Sequence, residues 1–499
     1  MPDLSQPDPH AAGGGGLSDL QRAAVAELLR VAPVVEPLAR RFAAAGEQLA
    51  LVGGSVRDAL LVGTLGNDWD FATSARPEVT ERLLGGWADA VWDVGRAFGT
   101  IGARKGSWQV EITTYRADTY DADSRKPDVD YGDSLEGDLS RRDFTINAMA
   151  VRLPAREFVD PFGGLADLAA RRLRTPATAV RSFTDDPLRM LRAARFAAQL
   201  GFTADDAVVA AIRDLADRIS IVSAERVRDE LVKLVCSDDP RRGLTLLVQT
   251  GLADQVLPEL PALRLERDEH HRHKDVYEHS LKVLEQTVAL EPRLPGGGPD
   301  LVARLAALLH DIGKPRTRRF SADGGVTFHH HDVVGAKLTR KRLRALRFPG
   351  GVVDAVAGLV GLHLRFHGYG SGEWTDSAVR RYVRDAGDQL ERLHVLTRAD
   401  TTTRNARKAA RLQAIYDDIE ARIARLAEEE GRAALRPDLD GNQIMEVLDV
   451  PPGRVVGAAY QHLLELRLEH GPLGEERARA ELLSWWGRRQ GSGGAPEPR

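Results

Sequence analysis

Cysteine is nearly absent from this 499-residue sequence, which contains only Cys236. A single cysteine excludes an intramolecular disulfide framework and a zinc site built from cysteines. The sequence has no run of 18 apolar residues, so it predicts no membrane-spanning helix. It also lacks an excess of one charge, because 69 basic and 73 acidic residues leave a net charge of −4. The overall balance therefore does not indicate a nucleic-acid partner, and any basic binding surface must be local.

The two ends of the chain have little hydrophobic patterning. Residues 1–16 are rich in Pro, Gly, Asp and Ala, and they lack the basic start and apolar core of a secretory signal. Residues 491–499 are rich in Gly and Pro. We interpret both ends as disordered segments of a cytoplasmic protein.

The length of the chain indicates several domains, since single cores rarely grow beyond about 250–300 residues. A helix is predicted from about Ser18 to Ala45. Short strands, including Leu49–Val52 and Trp108–Thr114, alternate with helices as far as about residue 164, which predicts an α/β domain. From about Asp167 onward the pattern is almost wholly helical.

A Gly-Gly turn joins the first predicted strand to a helix in the segment LVGGSVRD. Gly53 and Gly54 allow the backbone to approach a bound group, and the start of the helix offers free N–H donors to a phosphate. The segment is not a Walker loop, since the GxxxxGK[ST] pattern is missing. By itself it favours an ordinary strand–turn–helix connection.

Acidic residues follow this turn. Asp68 and Asp70 alternate with Trp69 and Phe71 in a predicted strand, so the two carboxylates point to one side and the two aromatic rings to the core. Because two such charges repel, the arrangement favours a hard divalent cation such as Mg²⁺. Glu111, between apolar neighbours in VEITTYR, is a candidate third carboxylate. The alternative is a pair of solvated acids at the end of a strand.

Basic and polar residues are concentrated in the segment DLSRRDFTINAMA. Paired arginines, of which Arg142 is one, can bind a triphosphate in bidentate fashion, while Asp143 and Asn147 can bind ribose hydroxyls. The stretch 138–195 contains 11 Arg, no Lys and 7 acidic residues, and this local positive excess suits a triphosphate and RNA. The alternative is a surface cluster of ion pairs.

Asp186 and Arg189 are three positions apart (i, i+3) on a predicted helix that ends near Gly201, so we expect them to share a face. A carboxylate accepts from an exocyclic amino group, and a guanidinium donates to a ring nitrogen or carbonyl oxygen. Cytosine and adenine carry an amino group beside a hydrogen-bond acceptor. Guanine and uracil present donor and acceptor in the wrong order on that edge of the base. One Asp/Arg pair can therefore select CTP and ATP without a nucleic-acid template. The alternative is an intrahelical ion pair worth about 0.2–0.5 kcal/mol.

Seven motifs in order resemble the class II nucleotidyltransferases, the family of tRNA CCA-adding enzymes and bacterial poly(A) polymerases. They span roughly residues 51–234 and read LVGGSVRD, DWDF, VEITTYR, DLSRRDFTINAMA, DPFGGLADL, DDPLRMLRAARFAAQLGF and SAERVRDEL. The resemblance implies that Asp68 and Asp70 hold two Mg²⁺ ions and that Glu111 assists near the primer end. Asp185 stands where the family usually has Glu, a small departure that leaves the base-reading pair in place. The nucleotide-binding residues implied in this way, with two arginines that extend the basic line, are Gly53, Gly54, Arg57, Arg142, Asp143, Asn147, Asp186, Arg189, Arg192 and Arg195.

A second constellation of histidines and aspartates lies between residues 266 and 400. A lone histidine is more often a core or surface residue than a ligand, but this ordered set resembles the HD phosphohydrolase superfamily. The resemblance implies a site for a divalent transition metal, with two further histidines completing a two-metal version. The ligands implied are His279, His310, Asp311 and Asp400, completed by His331 and His363. We interpret His270, His271 and His273 as surface residues.

The HD resemblance implies phosphatase or cyclic-phosphodiesterase activity that trims damaged RNA ends, or a vestigial domain that only contacts RNA. Residues 337–347 contain six basic and no acidic residues, so this helix presents either a phosphate-binding face or an ordinary solvated face. Residues 440–471 are similar to the C-terminal part of the CCA-adding enzymes, where tRNA is bound.

Together these patterns predict an α+β fold: an N-terminal nucleotidyltransferase α/β palm with a small mixed sheet, then an all-helical neck, an HD domain and a C-terminal helical tail. We place the catalytic domain at residues 17–165, the neck at 166–250, the HD domain at 251–400 and the RNA-binding tail at 401–490. The predicted reaction is template-independent addition of CCA to the 3′ end of tRNA from CTP and ATP, with release of pyrophosphate. The expected partners are tRNA, CTP and ATP without a membrane, and the oligomeric state is left open.

Four alternatives remain. A poly(A) polymerase often carries a basic pair before Phe in a Gly-x-x-Phe segment, and Gly95–Phe98 lacks this pair. An enzyme that adds only CC or only A would be controlled by the segment between Ala75 and Val94. An HD phosphohydrolase or a non-catalytic RNA-binding protein is disfavoured, because the three N-terminal carboxylates are intact.

Overall fold

The fold is taken from a computed structural model, which describes residues 35–62, 67–116, 131, 132, 134–265, 275–320, 325–369, 374–402, 405–430 and 436–491. By internal contacts the chain divides into two compact units, Met1–Pro261 and Ala262–Arg499. Residues 1–16, the first part of the predicted helix 18–45, residues 492–499 and the three surface histidines lie outside the described residues.

The first part of the N-terminal unit mixes helices with seven strands of one sheet. Its elements are α1 (Val35–Ala44), β1 (Leu49–Val52), α2 (Gly54–Val62), β2 (Asp68–Thr73), α3 (Pro77–Leu84), β3 (Ala90–Trp92), β4 (Thr100–Lys105), β5 (Trp108–Thr114), α4 (Leu135–Ser140), β6 (Ala150–Leu153), β7 (Glu157–Val159) and α5 (Gly164–Ala169).

The sheet has the order β3-β4-β5-β2-β1-β6-β7. Only β2 and β5 run parallel, and every other neighbouring pair is antiparallel, so the sheet is mixed, as predicted. All four residues of β1 are buried, which places this strand at the centre of the core. In β2, Trp69 and Phe71 are buried while Asp68 and Asp70 reach solvent, which confirms the predicted alternation.

The rest of the unit is helical apart from a two-stranded ribbon. Its elements are β8 (Arg172–Leu173), α6 (Ala179–Asp185), α7 (Leu188–Leu200), β9 (Thr203–Ala204), α8 (Asp206–Leu215), α9 (Ala224–Val235), α10 (Pro240–Gln249) and α11 (Leu252–Val256). Helix α7 ends at Gly201, whose φ of +68° gives the left-handed cap expected there. A Cβ at Gly243 would lie 2.5 Å from the carbonyl oxygen of Ala194, so α10 crosses α7 at backbone contact.

The second unit is helical except for one short hairpin. Its elements are α12 (Val276–Leu290), α13 (Leu301–Leu309), α14 (Lys314–Thr317), β10 (Arg319–Phe320), β11 (Val326–Thr327), α15 (His331–Ala345), α16 (Gly350–Leu362), α17 (Asp376–Ala386), α18 (Leu390–Asp400), α19 (Ala406–Glu430), α20 (Gly441–Leu448), α21 (Arg454–His470) and α22 (Glu475–Gly491). The last three helices share a small hydrophobic core that includes Leu439, Ile444, Leu463 and Leu482.

The predicted α+β architecture is confirmed: a mixed sheet in the N-terminal part is followed by helices to the end of the described chain. The individual domain boundaries stay a prediction. None of the helices in the described part of the chain has the length and apolar character that a membrane crossing requires.

Candidate active site and metal centre

The three candidate catalytic carboxylates share one face of the sheet. Asp70 on β2 is paired directly with Glu111 on the parallel strand β5. Residues paired in this way point to the same face, as do residues two apart in one strand, so Asp68, Asp70 and Glu111 project together. Ser55 at the start of α2 accepts a hydrogen bond from the Asp70 amide, which joins the glycine turn to the acidic strand.

The electrostatics of this face favour a cation. Although Asp70 reaches solvent, partial desolvation by the surrounding protein raises the pKa of its carboxyl; the Asp68 carboxylate adds to the rise and Arg142 opposes it. Desolvation also raises the pKa of Glu111, and the charges of Asp70 and Asp68 act in the same direction. Three mutually repelling carboxylates, opposed at Asp70 by the single positive charge of Arg142, suit a divalent ion bound through oxygen.

The Gly-Gly turn lies directly against this acidic group. Gly53 has a φ of +71°, and a Cβ there would come within 2.9 Å of Arg142 Nη1 and 3.8 Å of Asp70 Oδ2. The turn therefore needs glycine both for its backbone conformation and for the space that Arg142 occupies. Arg142 is held in turn by Asp138, whose Oδ2 lies 3.1 Å from Arg142 Nη2.

Asp138 is a buried anchor that the sequence analysis did not single out. It is 1 % exposed and pairs with both Arg141 and Arg142. Burial opposes its ionisation, but the two guanidinium groups outweigh this effect and lower its pKa. Its position three and four residues before the arginines, on α4, is the signal that could have identified it.

A polar network connects the sheet to α7. Arg57 Nη1 donates to Asn147 Oδ1 at 2.7 Å, and Asn147 Nδ2 donates to Asp143 Oδ1 at 3.0 Å. The other oxygen of Asp143 accepts from Arg192 Nε at 2.8 Å. Burial works against the Asp143 carboxylate, yet Arg192 and the Asn147 hydrogen bond lower its pKa. Four of the predicted nucleotide-binding residues therefore form one connected group.

Asp186 and Arg189 do not share a helix, contrary to the prediction. Asp186 precedes Pro187 in an extended conformation, and α7 begins only at Leu188. Proline disfavours a helical conformation in the residue before it, which explains the difference. The Asp186 carboxylate accepts from the amide of Leu188 at 3.1 Å, as an N-terminal helix cap does.

The two residues also form no ion pair with each other. Asp186 Oδ2 lies 3.3 Å from Arg226 Nη2, while Arg189 Nη1 donates to Ser182 Oγ at 2.9 Å and Arg189 Nη2 to the carbonyl of Arg141. The intrahelical ion pair considered above is therefore absent among these described residues, and the base-reading role stays a prediction.

Arg195, the last of the predicted basic line, points away from open solvent. Its side chain lies 3.1 Å from Glu230 of α9 and 4.2 Å above the ring of Phe196. Burial and the neighbouring Arg192 lower its pKa to about 10. Glu230, which also lies 3.7 Å from Arg192, is a second buried acid that the sequence analysis missed.

The six candidate HD ligands come together in the second unit. They form two groups, one of His279, His310 and Asp400 and one of Asp311, His331 and His363, each with its ligand atoms within 4.8 Å of one another. Among the described residues these are the tightest clusters of this kind, and the three carboxylates of the first unit are arranged more openly.

Asp311 connects the two groups. Its Oδ2 lies 3.2 Å from His310 Nε2 and 3.7 Å from His279 Nε2. Its Oδ1 lies 3.3 Å from His331 Nε2 and 3.9 Å from His363 Nε2. Each oxygen therefore faces a different pair of histidines, which is the arrangement of a carboxylate that bridges two metal ions.

The histidine rings are oriented for metal binding. Nδ1 of His310, His331 and His363 contacts a backbone carbonyl three residues earlier at 2.7–2.8 Å. Because a carbonyl can only accept, Nδ1 carries a proton, and in the neutral ring Nε2 is left with a lone pair. Nε2 of His310 faces Asp311 Oδ2 at 3.2 Å, and the Nε2 atoms of His331 and His363 face each other at 3.3 Å. These inward-facing nitrogens are suited to bind cations within the cluster.

The charge distribution agrees with this fit. Burial opposes protonation of His310, but the carboxylates of Asp311 and Asp400 raise its pKa to about 8. Positive charge is therefore stabilised at the centre of the cluster. Burial and the nearby His310 lower the pKa of His363 to about 4, which keeps its imidazole neutral and able to act as a ligand.

The cluster opens into a cavity of about 520 Å³ that contains two lysines. Lys314 Nζ lies 2.6 Å from Asp311 Oδ2, and Lys408 lines the wall. Sequence reasoning missed both lysines, although the position of Lys314 three residues after Asp311 was a usable signal. Candidate metal ligands beside ammonium groups are suited to a phosphate ester.

The basic stretch 337–347 starts on α15, which begins with the candidate ligand His331 and ends at Ala345. Lys337, Lys341 and Arg344 are exposed and follow one another at helical spacing on one face. Arg340 faces Asp354 at 3.6 Å. A phosphate-binding role for this face stays a prediction.

Comparison with protein families divides the chain in the same order as the sites. Residues 49–174 match the model described as the poly A polymerase head domain. Residues 201–263 match a probable RNA and SrmB-binding site of polymerase A, and residues 276–405 match the HD domain.

Two curated relatives align with nearly the whole chain. An A-adding tRNA nucleotidyltransferase of Deinococcus radiodurans is 36 % identical over 446 residues, covering 87 % of this chain and 95 % of the relative. A CC-adding tRNA nucleotidyltransferase of Thermus thermophilus is 33 % identical over 458 residues, covering 89 % and 96 %. A CCA-adding enzyme of Latilactobacillus sakei is 40 % identical over 229 residues, covering 44 % and 56 %.

Solved structures agree with these relatives. The Bacillus stearothermophilus CCA-adding enzyme in complex with CTP superposes with a TM-score of 0.65 at 26 % identity, covering 91 % of this chain and 98 % of that one. The Thermotoga maritima CCA-adding enzyme complexed with tRNA has the same fold, with a TM-score of 0.58 at 18 % identity, covering 93 % and 98 %.

Proposed function

The chain belongs to the tRNA nucleotidyltransferase family, and from this premise we propose that it adds CCA to the 3′ end of tRNA from CTP and ATP without a nucleic-acid template, releasing pyrophosphate. The observation that carries the proposal is the shared face of Asp68, Asp70 and Glu111 beside the Gly53 turn. The cytoplasmic location expected from the sequence is part of this proposal.

Each side chain has a defined part in this proposal. Asp68 and Asp70 hold two Mg²⁺ ions, and Glu111 lies on the side of β5 where the primer end is received. When bound, the ions activate the 3′-hydroxyl and neutralise the triphosphate and the leaving pyrophosphate. Arg142, which Asp138 holds over Gly53, binds the triphosphate through its guanidinium.

The base and sugar are held by groups outside the acidic strand. Arg57, Asp143 and Asn147 form the connected network that positions the ribose and the phosphates. Asp186 accepts from the exocyclic amino group of cytosine or adenine, and Arg189 donates to the adjacent acceptor. This step requires the Asp186–Arg226 ion pair and the Arg189–Ser182 hydrogen bond to exchange for the nucleotide.

Arg192 and Arg195 act on the nucleotide indirectly. Arg192 holds Asp143, and both arginines share Glu230, so they act on the nucleotide through the polar network.

A partial activity is the second candidate. The two relatives that align with nearly the whole chain are named as A-adding and CC-adding enzymes, whereas the CCA-adding relative above aligns with under half of it. Poly(A) addition is disfavoured, since Arg96 is occupied by Glu78 and Glu81 of α3 and no second basic residue stands beside it in Gly95–Phe98.

The test uses three forms of one tRNA, ending before CCA, after the first C and after the second C, with each labelled nucleotide triphosphate and Mg²⁺. Addition of C, C and A to the first form, followed by a stop, is the expected result. Addition of A only to the third form would indicate an A-adding enzyme, and a stop after two C additions would indicate a CC-adding enzyme. A long A ladder would assign the chain to poly(A) polymerases.

The matched control compares two isosteric substitutions of aspartate. Asp70→Asn removes a proposed metal ligand and should abolish addition. Asp89→Asn removes an exposed carboxylate that pairs with Lys105 and should leave addition unchanged. Equal activity of both variants would contradict the proposed site.

For the second unit we propose a metal-dependent phosphohydrolase that acts on RNA 3′ ends. The supporting observation is the bridging position of Asp311 between two ligand groups at a cavity that contains Lys314 and Lys408. The proposed ions are divalent transition metals, since imidazole nitrogen is the main ligand type. Release of inorganic phosphate from a 3′-phosphorylated RNA end, or hydrolytic opening of a 2′,3′-cyclic phosphate to a terminal phosphomonoester, is the expected result, and Asp311→Asn should abolish it.

The domain boundaries given above are also part of the proposal. Residues 17–165 would catalyse nucleotide transfer, and residues 166–250 would select the base. Residues 251–400 would contain the hydrolase site, and residues 401–490 would bind tRNA. The family-model matches at 49–174, 201–263 and 276–405 are consistent with this order.

A further inference from the structure

One row of residues crosses the sheet through the acidic site. Asp70 on β2 is paired with Glu111 on β5, Glu111 with Gly102 on β4, and Gly102 with Trp92 on β3. Laterally paired residues project to the same face of a sheet. Trp92 therefore lies on the face of the three carboxylates, at the edge of the sheet.

Gly102 brings the indole close to Glu111. A Cβ at Gly102 would lie 2.0 Å from Trp92 Nε1 and 2.3 Å from Trp92 Cε2, so the ring covers the position that a side chain would fill. The ring therefore lies over β4, one strand spacing of about 4.8 Å from the strand of Glu111. It remains partly exposed rather than sealed in the core.

We propose that Trp92 is the stacking surface for the terminal base of the RNA primer. The proposal rests on the transferase function argued above. An aromatic ring beside a metal-binding face is suited to any nucleobase, because every base has a π-face and stacking is tolerant of sequence. An enzyme that receives tRNAs with different terminal nucleotides needs this tolerance.

The position of Trp92 favours the primer over the incoming nucleotide. In the sheet order, β3 and β4 lie on one side of the acidic strand β2, and β1 lies on the other. The Gly53 turn, Arg142 and the Asp143 network are attached to the β1 side. The triphosphate and its base are therefore held away from Trp92, while Glu111 stands between Trp92 and Asp70.

The test compares tRNA lacking CCA with the same tRNA carrying an abasic 3′-terminal nucleotide, in steady-state CTP addition by the full-length protein. For the unmodified protein, loss of the base should raise KM for RNA about tenfold. Trp92→Ala should raise KM for intact RNA by a similar factor and show little further change with abasic RNA. Trp92→Phe, which keeps a ring, should retain most of the discrimination.

Trp108→Phe is the matched control. Trp108 lies on β5, two strands away from β3, and on the opposite face of the sheet, where it packs 5.0 Å from Trp69; it is also partly buried. This variant should keep the difference between intact and abasic RNA, even where it lowers the melting temperature. KM for CTP should change by less than twofold in the Trp92 variants.

Two results would overturn the inference. The same intact-to-abasic ratio in Trp92→Ala and the unmodified protein would show that the ring does not contact the base. Equal rises in KM for CTP and RNA would indicate a general structural role. Absence of nucleotide addition by the unmodified protein is a different result, which would contradict the proposed transferase function itself.

Discussion

Gly53 determines both the backbone conformation of the turn and the position of the Arg142 guanidinium. Its φ is +71°, and Arg142 Nη1 occupies the space within 2.9 Å of a would-be Cβ. Gly86 has a similar φ of +69° but nothing within 4 Å, so it isolates the backbone effect. We expect Gly53→Ala and Gly86→Ala each to lower the free energy of unfolding by about 1–2 kcal/mol, as measured by urea denaturation.

Only Gly53→Ala should also impair catalysis. Displacement of Arg142 should raise KM for the nucleotide triphosphates and lower kcat, whereas Gly86→Ala should retain both values. If the two variants had the same kinetics, Arg142 would not depend on the missing side chain at position 53.

Asp311 is the residue on which both halves of the metal centre depend. One of its oxygens faces His310 and the other faces His331. We expect Asp311→Asn to lose metal from both groups and His363→Gln to lose it from one, because each substitution removes a proposed direct ligand. Even the loss of a residue that only supports a ligand costs about 10–100-fold in metal affinity. Mass spectrometry after dialysis measures the number of metal ions bound per chain.

His329→Gln is the control for that experiment, since His329 is exposed and lies two residues before the ligand His331. It should retain the metal content of the unmodified protein. Retention of full metal content by Asp311→Asn would rule out the bridging arrangement.

The sequence predicted the six side chains that the structure brings together, because residue type and order carry that pattern; their role as metal ligands stays a prediction. The contacts of those ligands could not be predicted. The bridging position of Asp311 depends on the packing of separate helices that carry His279 and His331, and the approach of Lys314 depends on the turn after Asp311. Such distances arise only when tertiary contacts fix the helices.

At the scale of elements, Glu230 joins α9 to the two arginines of α7. It is 5 % exposed and lies 3.1 Å from Arg195 and 3.7 Å from Arg192. Glu230→Gln should lower the free energy of unfolding by about 3–5 kcal/mol, because it leaves the buried guanidinium of Arg195 without its carboxylate partner. Urea denaturation followed by circular dichroism measures this change.

Glu225→Gln tests whether any acid on α9 has this effect. Glu225 lies on the same helix but is exposed, so its removal should change stability by less than about 0.5 kcal/mol. A loss as large as that of Glu230→Gln would mean that the overall charge of α9, rather than the buried pair, stabilises the helix.

The elements show where periodicity suffices as a guide and where it does not. Alternation in β2 correctly separated Asp68 and Asp70 from Trp69 and Phe71, because one face of the strand is buried. The helical spacing of Asp186 and Arg189 was misleading, because Pro187 moves the start of the helix beyond Asp186. Spacing predicts a shared face only where the chain stays in one element.

The pairing between strands also could not be predicted from the sequence. Glu111 was a candidate from its apolar neighbours, but its direct pairing with Asp70 follows from the parallel arrangement of β2 and β5. The row that continues to Trp92 requires the positions of β4 and β3 as well. Long-range register of this kind has no local signal in the chain.

For the whole molecule, the small net charge gives no sign of the two candidate metal-binding sites. The acidic face of Asp68, Asp70 and Glu111 is built within Met1–Pro261, and the histidine–aspartate cluster within Ala262–Arg499. Each centre draws all of its proposed ligands from one unit. The net charge of −4 therefore gives no information about either site.

Because the ligand sets are disjoint, the two activities should be lost independently. Asp70→Asn should abolish nucleotide addition while RNA-end hydrolysis stays within about twofold, and Asp311→Asn should have the reverse effect, since substitutions without shared partners act additively. The double variant should combine the two losses. Nucleotide addition to tRNA and release of inorganic phosphate from a 3′-phosphorylated RNA end, measured on the same preparations, give both readouts. Loss of both activities in either single variant, with an unchanged melting temperature, would show instead that one site controls the other.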